Sequence, residues 1–327
     1  MSLAILAASL LTFVELNCEN LFDTQHDSLK NDIEFTPESN YHWTRTRYWR
    51  KLNHISQEII ALGTPPSLPE GEMYSASKTH FEWSLPDLVA LCEVENDTVM
   101  RDLTKRSLLR KARYEYLMTN SPDQRGIDVA LMYNPMTFQP ITHHSIRIIP
   151  RAGMKPTRDI LYVKGRLLSD DSLHVFVVHA PSRSGGEKAS RPNRMLVQRY
   201  LAAAVDSIYA LEDSAHIIIA GDFNDYKDSP ALDSLYKHQL TNVSADAKGS
   251  RGAKGTYRYH GEWGSLDQIL SSPATTRRNK ECYIGDLEFL LEEDTKYGGV
   301  KPRRCYLGPR YQNGFSDHLP LVARFQY

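Results

Sequence analysis

Residues 217–225 read IIIAGDFND and residues 315–320 read FSDHLP, and together these two stretches decide how the rest of the chain is read. Three isoleucines and an alanine form a strand-like run that breaks into Gly221, Asp222, Phe223, Asn224 and Asp225. Residues two apart in an extended segment share a face, so Asp222 and Asn224 point the same way. In the second stretch Asp317 and His318 stand just ahead of another apolar run, 321–325. Polar groups at the ends of buried strands collect along the rim of a sheet, where a substrate can reach them.

The same pattern recurs upstream. A run over 11–17 ends in Asn17, Cys18, Glu19 and Asn20, and one over 87–93 ends in Glu93, Val94, Glu95 and Asn96. A run over 173–180 carries His179 and leads into Pro181, Ser182 and Arg183, and Asp267 lies in a run over 265–270. Further strand runs cover 127–133, 160–168 and 216–222. Helical spacing links Tyr48, Leu52, Ile55, Ile59 and Leu62, and again Leu196, Tyr200, Ala204, Ile208 and Leu211, with a third helix expected around 99–111. Pro65, Pro66, Pro69 and Gly71 mark a surface loop. Many strands and few helices predict an α+β fold with mixed sheets and helices packed outside. Residues 11–327 read as a single catalytic domain. The apolar start, residues 1–10, reads as the remnant of a secretory signal, an artificial start or an ordinary first strand.

The 327 residues are 41% hydrophobic and 24% charged, ordinary for a globular chain, and the net charge of −1 provides no global field for nucleic acid. The charge is uneven, however. Residues 183–199 hold five basic side chains against Glu187 alone, and residues 296–310 hold five with no acid. Both runs flank the motifs above and favour a local attraction for an anionic substrate. The four cysteines lack metal-type spacing. Cys18 and Cys92 read as small buried hydrophobes, and Cys282 and Cys305 are a pair only if the protein is exported. Trp43, Trp49 and Trp83 read as core or cover.

Hard oxygen donors suit magnesium, which keeps several waters and takes few protein carboxylates. Glu19, Glu93 and Asp317 offer carboxylates and Asn17 an amide oxygen. Asp222 is placed to accept a proton from an attacking water, with Asn224 orienting that water or a phosphate oxygen. His318 beside Asp267 fits a histidine held in one tautomer that neutralises transition-state charge, and His179 fits a proton donor to the leaving oxygen. Each element alone is common; their joint occurrence at strand ends is not.

With these residues stated, the chain resembles the endonuclease/exonuclease/phosphatase superfamily, in a deoxyribonuclease-like bacterial branch. The resemblance runs from Leu11 to Phe325 through LNCENLF (16–22), LVALCEVEN (88–96), VVHAPSR (177–183), IIIAGDFND (217–225), SLDQIL (265–270) and FSDHLP (315–320). It implies a four-layer α/β/β/α sandwich of two mixed, mainly antiparallel sheets packed face to face. It implies Glu93 as the main magnesium ligand, assisted by Asn17, Glu19 and Asp317, with manganese or calcium as alternatives. It also implies Asp222 and Asn224 as the water- and phosphate-positioning pair, His318 oriented by Asp267 at the phosphate, and His179 as catalytic. Glu19 stands where several relatives carry Asp, and Cys92 where many carry Gln.

The expected activity is metal-dependent phosphoester hydrolysis, first of all of a phosphodiester and with nucleic acid as a candidate substrate. An inositol-phosphate-type phosphomonoesterase, a sphingomyelinase-like lipid phosphodiesterase and a non-catalytic phosphate-binding relative are the alternatives. Arg183, Arg191 and Arg194 are candidate phosphate clamps, and Tyr257 and Arg258 candidate cleft residues. No stretch is long enough to span a bilayer. A monomer is expected, and export rather than a cytoplasmic location.

Overall fold

The computed structural model describes residues 10–63 and 84–327. The apolar start before Leu10, the Pro-rich loop around residues 65–71 and Trp83 lie outside the described residues.

The first six-stranded sheet is built on β1 (Leu10–Leu21), which runs parallel to β2 (Leu88–Val94) and antiparallel to the C-terminal strand (Leu321–Gln326). β3 (Glu115–Met118) and β4 (Asp128–Tyr133) extend it beyond β2. In the second sheet β5 (Phe138–Ile146), β6 (Ile160–Leu167), β7 (Ser172–His179) and β8 (His216–Asp222) lie side by side. β9 (Thr241–Asn242) forms the far edge of that sheet, β10 (Tyr257–Tyr259) and β11 (Glu262–Gly264) form a separate two-stranded hairpin, and β12 (Asp267–Ser271) sits between β8 and β9 in the sheet. β13 (Asn279–Ile284) closes the outer edge of the first sheet.

Side-chain alternation makes the layers. Phe13 on β1, Leu88 and Ala90 on β2, Val175 and Val177 on β7, and Ile218 and Ala220 on β8 meet between the sheets. Their odd-even neighbours face outward. Val14 and Leu16 pack on α1 (Arg45–Leu62) and α2 (Asp97–Lys105). Phe176, Ile217 and Ile219 pack on α3 (Glu187–Tyr209). Each large apolar side chain buried this way contributes roughly 1.5–3 kcal/mol, so two-sided burial of these strands dictates the α/β/β/α sandwich. The expected fold class is the observed one.

The predicted helix over 99–111 ends early, at Lys105. Ser107 then caps a short 3₁₀ turn, Leu108–Lys111, by accepting from the Leu109 amide. β5 escaped the periodicity because it is an edge strand, mostly exposed and carrying Pro140. All four cysteines are free, so Cys282 and Cys305 are not bonded, and Cys18 and Cys92 are buried as expected. Trp43 is core, its indole donating to the Phe22 carbonyl at 3.0 Å. No helix among the described residues is long and apolar enough to cross a membrane.

Candidate active site

The strand register brings the acids together. His179 ends β7 directly opposite Asp222 at the end of β8, and Asp222 is in turn opposite Asp267 at the start of β12. Three strands thus present one row of functional groups. Gly221, φ +145, makes this junction possible: a Cβ there would sit 1.8 Å from the Val178 carbonyl oxygen. His318 enters from the turn before the C-terminal strand, and its Nδ1 lies 2.7 Å from Asp267 Oδ2. Thr256 also donates its hydroxyl to that oxygen. One ligand atom from each of Asp222, Asp267 and His318 lies within 4.8 Å of the other two.

The other sheet supplies the facing wall. Asn17 is on the inward parity of β1, and its Nδ2 donates to Asp222 Oδ2 at 3.1 Å. Asn224, in a left-handed conformation (φ 50), donates its side-chain amide to Asp222 Oδ2 at 3.2 Å and to the Ala180 carbonyl at 3.1 Å. Its backbone N–H reaches Asp222 Oδ1 at 2.8 Å. Glu93 is on the wrong parity, since strict alternation on β2 would turn it toward the helices. A register break between Cys92 and Val94, with Glu93 at φ 61, rotates it into the cleft. There Oε2 accepts from the Asn20 amide at 2.8 Å, and Oε1 lies 3.9 Å from His179 Nε2. His179 Nε2 is 3.6 Å from Asp222 Oδ2, so the row is continuous from Glu93 to His318.

Electrostatics separates the two histidines. Burial pushes His179 well below the usual imidazole range, and Arg158, Arg125 and His318 push the same way. Burial would lower His318 too, but the charge and hydrogen bond of Asp267, with Asp222 and Asp317, outweigh it and hold the ring well above its ordinary value. Burial, then the neighbouring Asp267, raises Asp222 to about 7, near where a proton acceptor works best. Burial thus disfavours the charged form of His179, while the carboxylates around His318 favour the charged form of that ring.

The donors expected for a metal divide. Glu93 keeps Oε1 without a hydrogen-bond donor among the described residues and faces the cleft, as a hard cation requires. Asp317 lies at the rim, 3.1 Å from Arg304 Nη2. Glu19 is different: its oxygens accept from the Cys305 and Tyr306 amides at 2.6 and 3.1 Å. Glu19 thus anchors the loop that carries Arg304, whose Nε lies 3.7 Å from Glu19 Oε1. Glu93, Asn17 and Asp317 carry oxygen donors, the kind a hard divalent cation takes.

Of the five expected substrate contacts, the structure moves three. Arg194 is fully buried, pairing through Nε with Asp225 Oδ2 at 2.9 Å and donating to Ser190 Oγ at 2.7 Å. It ties α3 to the loop that carries Asn224 and faces no substrate. Arg258 is sealed against Asp294 at 3.3 Å and the Gly261 and Gly298 carbonyls. Arg191 forms a two-point pair with Glu187 on the α3 surface, at 2.8 and 2.9 Å. Tyr257 stays at the site. The Tyr257 ring lies 4.9 Å from the His318 ring, and the Arg183 guanidinium lies over Tyr226. Replacing Arg194 by Met should leave Asp225 buried and unpaired, and so should cost about 3–5 kcal/mol of stability in denaturant unfolding. An unchanged midpoint with a raised KM would return Arg194 to substrate binding.

Several participants carry no motif. Glu15 is fully buried on the inward face of β1; burial, then Asp267 and Asp222, holds its carboxyl well above the usual range. An acid at an inward parity of an otherwise apolar strand was the available signal. Arg125 contacts Asn20 and lies 3.5 Å from Glu93. Arg158 braces the turn after His179 by donating to the Ala180 carbonyl at 2.7 Å. Lys51, buried on α1, donates to the Phe315 carbonyl.

The sequence profile described as the endonuclease/exonuclease/phosphatase family matches residues 12–326. The chain belongs to the endonuclease/exonuclease/phosphatase family. Among solved structures it resembles a protein of that family from Bacteroides thetaiotaomicron, with TM-score 0.60 and 14% identity over 98% of this chain and 99% of that one. It is similar to a mannosyl-6-phosphatase of the same organism, TM-score 0.60 and 14% identity over 96% and 98%. It also resembles humanized D. rerio TDP2, TM-score 0.56 and 16% identity over 97% and 99%. At such identities these likenesses speak for the fold alone. No curated protein matches the chain.

Proposed function

We propose that the chain is a divalent-metal-dependent phosphodiesterase of the nuclease type, acting by in-line attack of a water held at Asp222. The observation that carries this reading is the placement of Asp222 between three side chains with distinct tasks. Asn17 and Asn224 both donate to Oδ2 and fix the carboxylate plane, and His179 Nε2 stands 3.6 Å away. A carboxylate raised to about 7 can take a proton from water at neutral pH. His318, held cationic by Asp267, lies in the same cluster and can neutralise charge that develops on a phosphoryl oxygen. His179 orders the water or a phosphate oxygen by hydrogen bonding. Arg125 and the Asn20 amide hold Glu93 in its cleft-facing pose.

Glu93, Asn17 and Asp317 would hold the ion, which when bound supplies a Lewis acid at a phosphoryl oxygen. Magnesium is the ion proposed. Stripping divalent ions with EDTA should lower turnover by about a hundredfold or more, and magnesium should restore it. Turnover indifferent to chelation would refute metal dependence. A panel of single-stranded and duplex DNA, bis(p-nitrophenyl) phosphate, inositol phosphates, mannose 6-phosphate and sphingomyelin tests the substrate class. Hydrolysis confined to monoesters would replace the diesterase reading with a phosphatase one, and hydrolysis of none would leave a binding protein.

A further inference from the structure

The β10–β11 hairpin presents a ring-lined face beside His318. Tyr257 and Gly264 are cross-strand partners, so their Cβ directions lie on one side of the hairpin. Tyr259, two residues beyond Tyr257, shares that side. A Cβ built on Gly264 would meet the Tyr226 ring at 2.6 Å, so Tyr226 lies on this same side, against the space that glycine leaves open. Tyr226 is fixed by its backbone, its amide donating to Asp225 Oδ1 at 3.3 Å and its carbonyl accepting from Ser229 at 2.9 Å. Tyr226 as a whole is nevertheless 41% exposed. The Arg183 guanidinium caps that ring 4.6 Å from its centroid, and no carboxylate among the described residues lies within ion-pair reach of it.

The platform is rigid. Arg258 locks the hairpin through Asp294 and the Gly261 and Gly298 carbonyls, so little freedom remains to be lost when a ligand binds. Exposed rings on a fixed support, with an unpaired guanidinium beside them, are the elements of a stacking site for bases joined by phosphates. The charged partner is a guanidinium, which matches a phosphate rather than the hydroxyls of a sugar.

Resting on the diesterase reading above, we infer that Tyr226, Tyr257 and Arg183 form a subsite for the nucleotide next to the scissile bond of a single-stranded polynucleotide. A base stacks on Tyr226 or Tyr257, and Arg183 takes the adjoining phosphate. Tyr259 lies farther along the same face and extends the track.

The test is binding of a fluorescein-labelled eight-nucleotide oligothymidylate, read by anisotropy with magnesium present, to protein carrying Asp222→Asn so that the probe survives. Adding Tyr226→Ala should raise Kd about tenfold or more, whereas Tyr226→Phe, which keeps the ring, should stay within about twofold. Arg183→Ala should weaken binding and lower the slope of log K against log salt by about 0.7. An octamer of the same length lacking bases should bind the parent as weakly as oligothymidylate binds the Tyr226→Ala protein. Equal affinity of the parent for both octamers overturns the subsite, as does an unchanged Kd in Tyr226→Ala. Mannose 6-phosphate displacing the probe only when Tyr226 is present would make the surface a sugar site. Hydrolysis of bis(p-nitrophenyl) phosphate by the unsubstituted protein is scored separately. If that diester is cleaved while Tyr226 proves irrelevant, the subsite alone is wrong. If no phosphoester is cleaved while binding depends on Tyr226, the hydrolase reading alone is wrong.

Discussion

Exchanging Asp222 for Asn should lower phosphodiester turnover by about two to four orders of magnitude, the usual contribution of a positioned proton acceptor. The geometry also makes an amide there a poor mimic. Asp222 Oδ2 accepts from two side-chain amides, those of Asn17 and Asn224, while Oδ1 accepts from the Asn224 backbone N–H. Whichever way the new amide turns, its NH₂ group faces at least one donor, and the plane that orients the water is lost. Folding should survive. Asp222, Asp267 and Glu15 crowd one buried region, and removing one acid relieves repulsion that offsets the lost hydrogen bonds. The check is kcat on bis(p-nitrophenyl) phosphate at saturating magnesium, with circular dichroism to confirm the fold. A rate within a few-fold of the parent would end the role assigned to Asp222.

Replacing His318 by Ala should have the second large effect, and it should show in two readouts. Turnover should fall by about 10²–10³, the cost of removing one preorganised donor from developing charge. Stability should fall as well, by about 3–5 kcal/mol, because Asp267 would remain a buried carboxylate with only the Thr256 hydroxyl as partner. His318→Gln, which can still donate to Asp267, should recover much of the stability and little of the rate. The folded-state pKa of His318 is raised, so the pair's stabilisation is complete below about pH 6.5 and is lost only as pH climbs through a folded value well above that. Denaturant midpoints of the parent should therefore not drop from this pair near neutrality. Full activity in His318→Ala would remove this histidine from the chemistry.

Much of the site was legible before any coordinates. A strand that is apolar on both faces and then turns polar has to end at a rim, and this rule located Asn17, His179 and Asp222. The hairpin face was legible only in part. Tyr257 stood out by its nearness to Asp267, but Tyr226 did not. Its importance depends on Gly264, 38 residues later, leaving room for its ring. The arginines were the least legible. A basic residue near a motif looks the same in sequence whether it meets phosphate or a buried acid.

The amino-acid sequence by itself determined a strand-rich α+β fold with helices packed outside, through apolar runs broken by turns, and the family resemblance, through motifs whose order runs the length of the chain, implied the four-layer sandwich. Tertiary structure alone decided which charged groups face the cleft. Glu93 reaches it only because its positive φ breaks the alternation that would otherwise turn it toward α1 and α2. Arg194 is withdrawn from it only because Asp225, 31 residues away, is folded against α3. Local pattern fixes which side of a strand a residue occupies. Where a long charged side chain ends is set by the nearest opposite charge in space, and chain neighbours do not specify that distance.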